Sequence, residues 1–531
     1  MPTTQKRTTG WVVLETLANY GINTVFGIPG THNLEFYRPL ETLGIRPVTT
    51  RHEQGAGYGA DAWSLQTGLP GVVITTSGPG LLNALSAAGT AFAESRPMII
   101  LSPGVALGAE FSDSGTLHET KDQLSAAAAI VEWGRRVKTA EEAVAAVHDA
   151  FELFATGRPR PVYIEVPLNI LEQETSISAS ELAAKQFEPV PSPDKKLIAE
   201  AAALLSDAVN PVILAGGGAR RAGQEIQALA EKLAAPVVTT LNGKGVIDEH
   251  HPLALGSNLR LAAAREVAQK ADVLLVVGSK LGEAELWVDA LRAQGKVVRI
   301  DVLESQLNKN QPATVGIRAD AAAAVAAITE LLDDADRTSA IDVPATLTAI
   351  RQESEKLDAL NTSVGQAIAR ALPEDAILTT DSSKIAYWGL LNMLQVRNPR
   401  SVAYMATYAT LGYGLPAAIG SKLASPERPV VAVTGDGAFM FSFNEMLTVV
   451  EQNLDIVILV VDNGGFAEIK DNEIAAGINP VAVDLVQPDW AALANACGGA
   501  GTRISSAEEL DKAIEAAVAA GGLQLIHLPL A

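Results

Sequence analysis

At 531 residues, with 48% hydrophobic and 19% charged side chains, the chain is several times the ~150 residues of one domain and too apolar for long disordered tracts, so two to four folded domains are expected. A net charge of −21, from 61 acidic against 40 basic residues, offers no general attraction to a nucleic-acid backbone or an anionic membrane, which excludes both as partners. The single cysteine, Cys497, cannot form an intrachain disulfide or a multi-cysteine metal site. With no signal-like start and no apolar run of membrane-spanning length, a cytoplasmic protein is expected.

Two stretches, 172–196 and about 332–362, lose apolar periodicity and gain turn and charged residues, dividing the chain into segments 1–175, 195–335 and 355–531. In chain order, β-branched runs at Val72–Thr76, Pro97–Leu101 and Val162–Val166 predict strands in the first segment. Val212–Leu214, Val273–Val277 and Val297–Ile300 do so in the second, and Val430–Val433 and Ile456–Val461 in the third. Each run leads into a Gly or polar turn and an alanine-rich stretch of helical character. Strands apolar on both faces that alternate with helices predict an α/β fold of three doubly wound parallel-sheet domains. A faint repeat, Gly57-Tyr58-Gly59 before Gly78-Pro79-Gly80 and Gly412-Tyr413-Gly414 before Gly435-Asp436-Gly437, relates the outer two.

Several familiar motifs nearly match and fail. Gly216-Gly217-Gly218 follows a strand, but Arg221 stands where a dinucleotide fingerprint needs its third glycine, so a tight turn is expected and FAD in the central domain is left open without being favoured. Gly57 to Ala62 fits GxGxxA inside a helix-like run, the wrong context. His52-Glu53 and His118-Glu119 begin HExxH, but Ala56 and Asp122 replace the second histidine. Neither a GxxxxGK[ST] phosphate loop nor a GxSxG nucleophile turn is present.

One constellation holds. Pro429 to Gly437 places Asp436 between Gly435 and Gly437 at the carboxyl end of a buried strand, where α/β sheets bind ligands. A helix-like stretch, Phe443–Glu451, and the next strand then deliver Asp462-Asn463-Gly464-Gly465, with Asn463 27 residues after Asp436, about one crossover between adjacent strand ends. An Asp carboxylate, an Asn amide oxygen and a glycine carbonyl at Gly465 are hard donors of the kind Mg²⁺ accepts when phosphates complete its octahedron. No Lys or Arg occurs between Val430 and Ile469, so a diphosphate here would be held by a metal and helix N-terminal amides.

GDG followed by Asn at this distance resembles the motif of the thiamin diphosphate (thiamine pyrophosphate)-dependent decarboxylase and acetohydroxyacid synthase superfamily. Thr50-Arg51-His52-Glu53-Gln54-Gly55-Ala56 is similar to the family segment that carries the glutamate for N1' of the aminopyrimidine, a contact that favours the imino tautomer and ylide formation. Phe26 to His32 and Thr76 to Gly80 resemble the family's FGxPG and SGPG turns. Ala409 to Gly420 resembles the segment bearing the apolar wedge under the thiazolium, which assigns the wedge to Leu411 and a carbonyl for the 4'-amino group to Ala409. Asp381-Ser382-Ser383 matches a turn near the diphosphate, with Ser383 facing the cofactor. Two departures stand out: Asp462 replaces a commoner Asn, and Phe466, on the cofactor rim, replaces a commoner Tyr.

The resemblance, which covers essentially the whole chain, implies thiamin diphosphate and Mg²⁺ as cofactors, a homodimer or homotetramer, and non-oxidative decarboxylation of a 2-oxo acid to an aldehyde through an enamine. The alternative is an acetolactate synthase-like carboligase; a thiamin-dependent oxidase would need a flavin or another acceptor. Within the superfamily, segments such as 17–30, 51–63, 117–120 and 466–490 are similar to those of 5-guanidino-2-oxopentanoate decarboxylases. A guanidinium substrate would call for a carboxylate at the pocket mouth, at Glu468 or Glu119. Of the seven histidines, His118 and then His32 are the expected proton relays.

Overall fold

A computed structural model of the chain describes residues 7–188, 190 and 192–530. Among these, the first sheet contains β1 (Thr24–Gly27), β2 (Arg46–Thr49), β3 (Gly71–Ile74), β4 (Met98–Gly104), β5 (Trp133–Arg136) and β6 (Pro161–Pro167). The second contains β7 (Pro211–Ala215), β8 (Val237–Thr239), β9 (Val273–Val277), β10 (Lys296–Asp301) and β11 (Val315–Arg318). The third contains β12 (Ile377–Thr380), β13 (Val402–Ala403), β14 (Val430–Gly435), β15 (Ile456–Asp462), β16 (Ala500–Arg503) and β17 (Leu523–Pro529). Their orders are β2-β1-β3-β4-β6-β5, β11-β10-β9-β7-β8 and β13-β12-β14-β15-β17-β16, and the named strands pair in parallel throughout. The outer sheets thus share one topology, the structural form of the faint repeat.

The central strands explain why the apolar runs are continuous and not alternating. All residues of β4, β6, β9, β14 and β15 are buried, because helices cover both faces of each sheet. Edge strands β2, β5 and β16 are partly exposed and carry arginines, which discourage pairing with a further strand. The stretch 332–362 departs from the expected turn-rich seam: it contains the whole helix Val343–Leu357, which leads at Asp358 into the helix Ala359–Ala371. Only a narrow stripe of the first helix is apolar; Val343 and Ile350 enter a central-domain core, and so few buried positions leave the sequence looking like a linker.

The first and third domains share one continuous hydrophobic core, whereas the central domain builds its own. The shared core is made where the helix Glu53–Thr67 crosses the helix Gly414–Ala424. A Cβ on Gly420 would fall on the carbonyl oxygen of Gly59, and one on Gly59 would lie 3.0 Å from the Phe26 ring, so only glycines permit this approach. Polar contacts reinforce the crossing. The Tyr413 hydroxyl donates to Asp61 Oδ2 at 2.7 Å, Arg96 Nη1 lies 3.5 Å from the same oxygen, and Arg96 Nη2 donates to the Tyr404 carbonyl at 3.0 Å. Burial pushes the Asp61 carboxyl up, and the Arg96 charge opposes that shift.

Because no side chain can yield at a backbone oxygen, Gly420→Ala is expected to destabilise the protein by roughly 1–3 kcal/mol, the usual cost of overpacking. Urea unfolding compared with the wild type measures this, and a midpoint unchanged within error would contradict the crossing described.

Candidate active site

Two clusters of polar groups form at the carboxyl ends of the outer sheets. In the first domain, β2 runs out at Thr49 and the chain turns directly into the helix that begins with Glu53, capped by His52, whose Nδ1 accepts from the Gln54 amide at 3.1 Å. Glu53 is 9% exposed; its Oε2 accepts from Asn83 Nδ2 at 3.0 Å, and its Oε1 would lie 3.2 Å from a Cβ on Gly80. Gly30 and Gly80 both close on Thr76, whose hydroxyl lies 3.3 Å from His118 Nδ1. His32 Nδ1 is 2.7 Å from Ser77 Oγ, and the His32 and His118 rings meet edge to face at 5.3 Å. Burial, then the His118 charge, lowers the pKa of His32. The structure therefore brings Glu53, His32 and His118 to one sheet end. Asn83, a lone polar residue with no motif around it, was not anticipated.

In the third domain, the turns after β12, β14 and β15 converge. Gly435 faces Ser383, whose Cβ would be 3.0 Å from a Cβ on Gly435, and Gly437 faces the Phe466 ring at 2.9 Å in the same sense. Gly465 has φ +143°, and a Cβ there would strike the Val483 carbonyl, so glycine is required. Asp436 Oδ1 accepts from the Asn463 amide at 3.1 Å, while Oδ2 is buried with no protein partner. Burial foremost pushes the Asp436 carboxyl up to about 6. The Asn463 side-chain amide is placed to donate from its nitrogen to Asp436 Oδ1 and to the Gly465 carbonyl, 3.1 Å from each. A carboxylate, an amide whose oxygen can turn to an ion, and a backbone carbonyl therefore meet at one spot, a donor set that fits Mg²⁺. Ser383 Oγ is likewise buried and unpartnered, as suits a group awaiting a phosphate oxygen.

Asp462 stands apart from this set. Its Oδ1 accepts from the Gly464 amide at 3.0 Å and its Oδ2 is 2.9 Å from His527 Nε2, so the extra carboxylate is satisfied away from the candidate ligands. Asp381 is also structural, accepting from the Tyr413 amide at 2.6 Å and the Thr434 hydroxyl at 2.7 Å. Ala409 adopts φ +50°, and half-buried Leu411 follows Thr410, whose hydroxyl meets Tyr58 Oη at 2.8 Å. Glu119 accepts from the Ser114 and Gly115 amides at 3.1 and 2.6 Å, which commits it to its own loop. Glu468 instead accepts from Trp388 Nε1 at 3.0 Å. Among the described residues no hydrogen bond joins Glu53 to the Asp436 cluster.

FAD gains no support from the glycine turn: Gly216 and Gly218 are explained by backbone packing on Gly278, although a cavity of about 580 Å³ does lie beside them between the three domains. Three domain models of the thiamine pyrophosphate enzymes match the chain in order: the N-terminal TPP binding domain over residues 7–126, the central domain over 198–328 and the C-terminal TPP binding domain over 385–528. The chain belongs to the thiamine pyrophosphate enzyme family. It is 36% identical to the probable 2-ketoarginine decarboxylase AruI of Pseudomonas aeruginosa, over 98% of this chain and 94% of the relative. It is 30% identical to a probable acetolactate synthase large subunit of Methanocaldococcus jannaschii, over 95% and 89%, and 31% identical to the acetolactate synthase isozyme 1 large subunit of Escherichia coli, over 87% and 82%. No described helix of this thiamine pyrophosphate enzyme is long and apolar enough to cross a membrane.

The His527 contact is what satisfies Asp462 Oδ2, so His527→Ala is expected to cost roughly 1–3 kcal/mol by leaving a buried acceptor unmet. Chemical denaturation would read the loss, and His527→Gln, which can still donate, should recover part of it.

Proposed function

We propose that the protein is a thiamin diphosphate- and Mg²⁺-dependent decarboxylase of a 2-oxo acid, with 5-guanidino-2-oxopentanoate (2-ketoarginine) as its substrate. The observation that carries the reading is the buried, unpartnered Asp436 Oδ2, with the Asn463 side-chain amide spanning Asp436 Oδ1 and the Gly465 carbonyl beside it, in a stretch without basic side chains. In this reading Asp436, Asn463 and the Gly465 carbonyl hold Mg²⁺, while Gly435, Gly437 and Ser383 face the diphosphate. Leu411 would pack against the cofactor as its apolar wedge, the Ala409 carbonyl would accept from its amino group, and Phe466 would line its rim. Thiamin diphosphate, when bound, supplies the electron sink for loss of CO₂.

Glu53, oriented by the hydrogen bond from Asn83, would hold a proton toward the aminopyrimidine. His32 and His118, whose rings meet edge to face, would carry a proton to and from the substrate carbon. A homodimer or homotetramer with sites completed between subunits is part of the reading, as the resemblance to the superfamily implies. A cytoplasmic location is part of the reading, supported by the single cysteine. The substrate is supported by the likeness to a protein named for 2-ketoarginine. The acetolactate synthase relatives favour a second reading, carboligation.

A panel of 2-oxo acids with CO₂, aldehyde and acyloin all quantified tests both. CO₂ and aldehyde in equal amounts are expected; acyloin as the main product would favour the second reading, and no CO₂ from any acid would refute both. Glu53→Gln is expected to retain cofactor but lose ~10²- to 10⁴-fold in turnover, with C2-proton exchange of bound cofactor slowed in parallel. Asp436→Ala is expected to lose the cofactor on gel filtration in the presence of Mg²⁺. Mixing the two inactive variants should restore about a quarter of wild-type activity if sites form between subunits; no recovery, with subunit exchange verified, would place each site within one chain.

A further inference from the structure

Three aromatic rings and one carboxylate gather beside the third-domain cleft. Trp388, whose Nε1 donates to Glu468 Oε2, packs edge-on to Trp287 of the central domain with centroids 4.8 Å apart at 83°. Tyr387 completes the group, 5.9 Å from Trp287 and 6.1 Å from Trp388. The group borders the cofactor half-site along the chain from both sides. Tyr387 and Trp388 lie a turn beyond Ser383, and Glu468 stands two residues beyond Phe466.

Two costly backbone features deliver these side chains. Tyr387 and Trp388 belong to a π-helix, Ile385–Leu390, a rare form that recurs at functional sites. Trp287 has φ +54°, a strained conformation for a bulky aromatic residue. Trp287 ends the helix Glu283–Leu286 in that conformation, its amide donating to the Glu283 carbonyl, and the residue remains 40% exposed.

The charges around the rings are asymmetric. Lys384 pairs with Asp471 at 2.5 Å and with Asp358 at 3.3 Å, and Lys470 pairs with Asp484 at 2.8 Å. Arg260, whose Cζ is 5.4 Å from the Trp287 centroid, is buried and gives both Nε and Nη2 to Asn392 Oδ1. Glu468, half-buried, has no basic partner among the described residues. A carboxylate without a paired cation, held by the edges of neighbouring aromatic rings, attracts a positive group by its charge, and a planar guanidinium matches a carboxylate flanked by aromatic rings.

We propose that Glu468, with Trp287, Tyr387 and Trp388, forms the subsite that receives a cationic tail on the 2-oxo acid, and that Glu468 determines the preference for that tail. The inference rests on the decarboxylase reading and says which side chains select the substrate.

The test compares 5-guanidino-2-oxopentanoate with 5-ureido-2-oxopentanoate, a neutral near-isostere, on enzyme loaded with thiamin diphosphate and Mg²⁺. The wild type is expected to favour the guanidino acid by ~10-fold or more in kcat/KM, and Glu468→Gln to reduce that ratio by ~10-fold, chiefly through KM. Trp287→Leu should reduce it several-fold, as loss of a cation–π contact does. Equal use of the two acids by the wild type, or an unchanged ratio in Glu468→Gln, overturns the proposal while leaving decarboxylation intact. If neither acid releases CO₂, the decarboxylase reading fails on its own. Calorimetry then decides the subsite: tighter binding of the guanidino acid that Glu468→Gln abolishes upholds it, and equal binding of the two acids overturns it.

Discussion

The close passage of Gly420 over the carbonyl of Gly59 is the constraint on which the remaining architecture rests. Two helices that approach backbone to backbone leave no room for side chains, so their flanking apolar residues merge into one core that spans the first and third domains. The crossing also positions Tyr58 and Asp61 on one helix to meet Thr410 and Tyr413 of the third domain. The loop that bears Ala409 and Leu411 is thereby tied to the helix that begins at Glu53. Glu94 adds to this, accepting from the Thr407 amide at 2.7 Å and from Asn242 of the central domain at 2.5 Å. All three domains therefore constrain one short segment, and the left-handed Ala409 within it is held from several sides.

Charge sets the second constraint. Burying a carboxylate without a partner is costly, and the upward shift of Asp436 expresses that cost. A neighbouring lysine or arginine would relieve it, but none occurs between residues 430 and 469. The Gly465 carbonyl lies within reach of the same Asn463 side chain, and a divalent cation, as proposed, would relieve these buried oxygens together and leave positive charge for a diphosphate. The added carboxylate of Asp462 would compete for such a cation if it were free. His527, arriving from β17, and the Gly464 amide hold it elsewhere.

The two half-sites solve different problems with the same scaffold. Each lies where parallel strands end and backbone amides point outward, yet the first offers a carboxylate and two imidazoles and the third offers hard oxygens and glycine turns. In the proposed reading, proton handling and anchoring of charge fall to separate domains. The aromatic group around Glu468 draws on a third, because Trp287 comes from the central domain.

By itself the sequence determined the class of fold and pointed to the candidate site residues. Doubly buried strands must be continuous apolar runs, so β9 and β14 are legible at sight. The GDG turn and the later Asn stand at the ends of adjacent strands, one crossover apart, so their spacing is local and fixed. Edge strands β5 and β16 carry no such run, because one face meets solvent, and they could be placed only by pairing with β6 and β17. The helix Val343–Leu357 escaped for a related reason, its apolar stripe being too narrow to read. Contacts between residues distant in sequence belonged to the tertiary structure alone. Asn83 reaches Glu53, His527 restrains Asp462, and Trp287 meets Trp388 only because the folded chain brings separate elements together, and no local spacing encodes that approach.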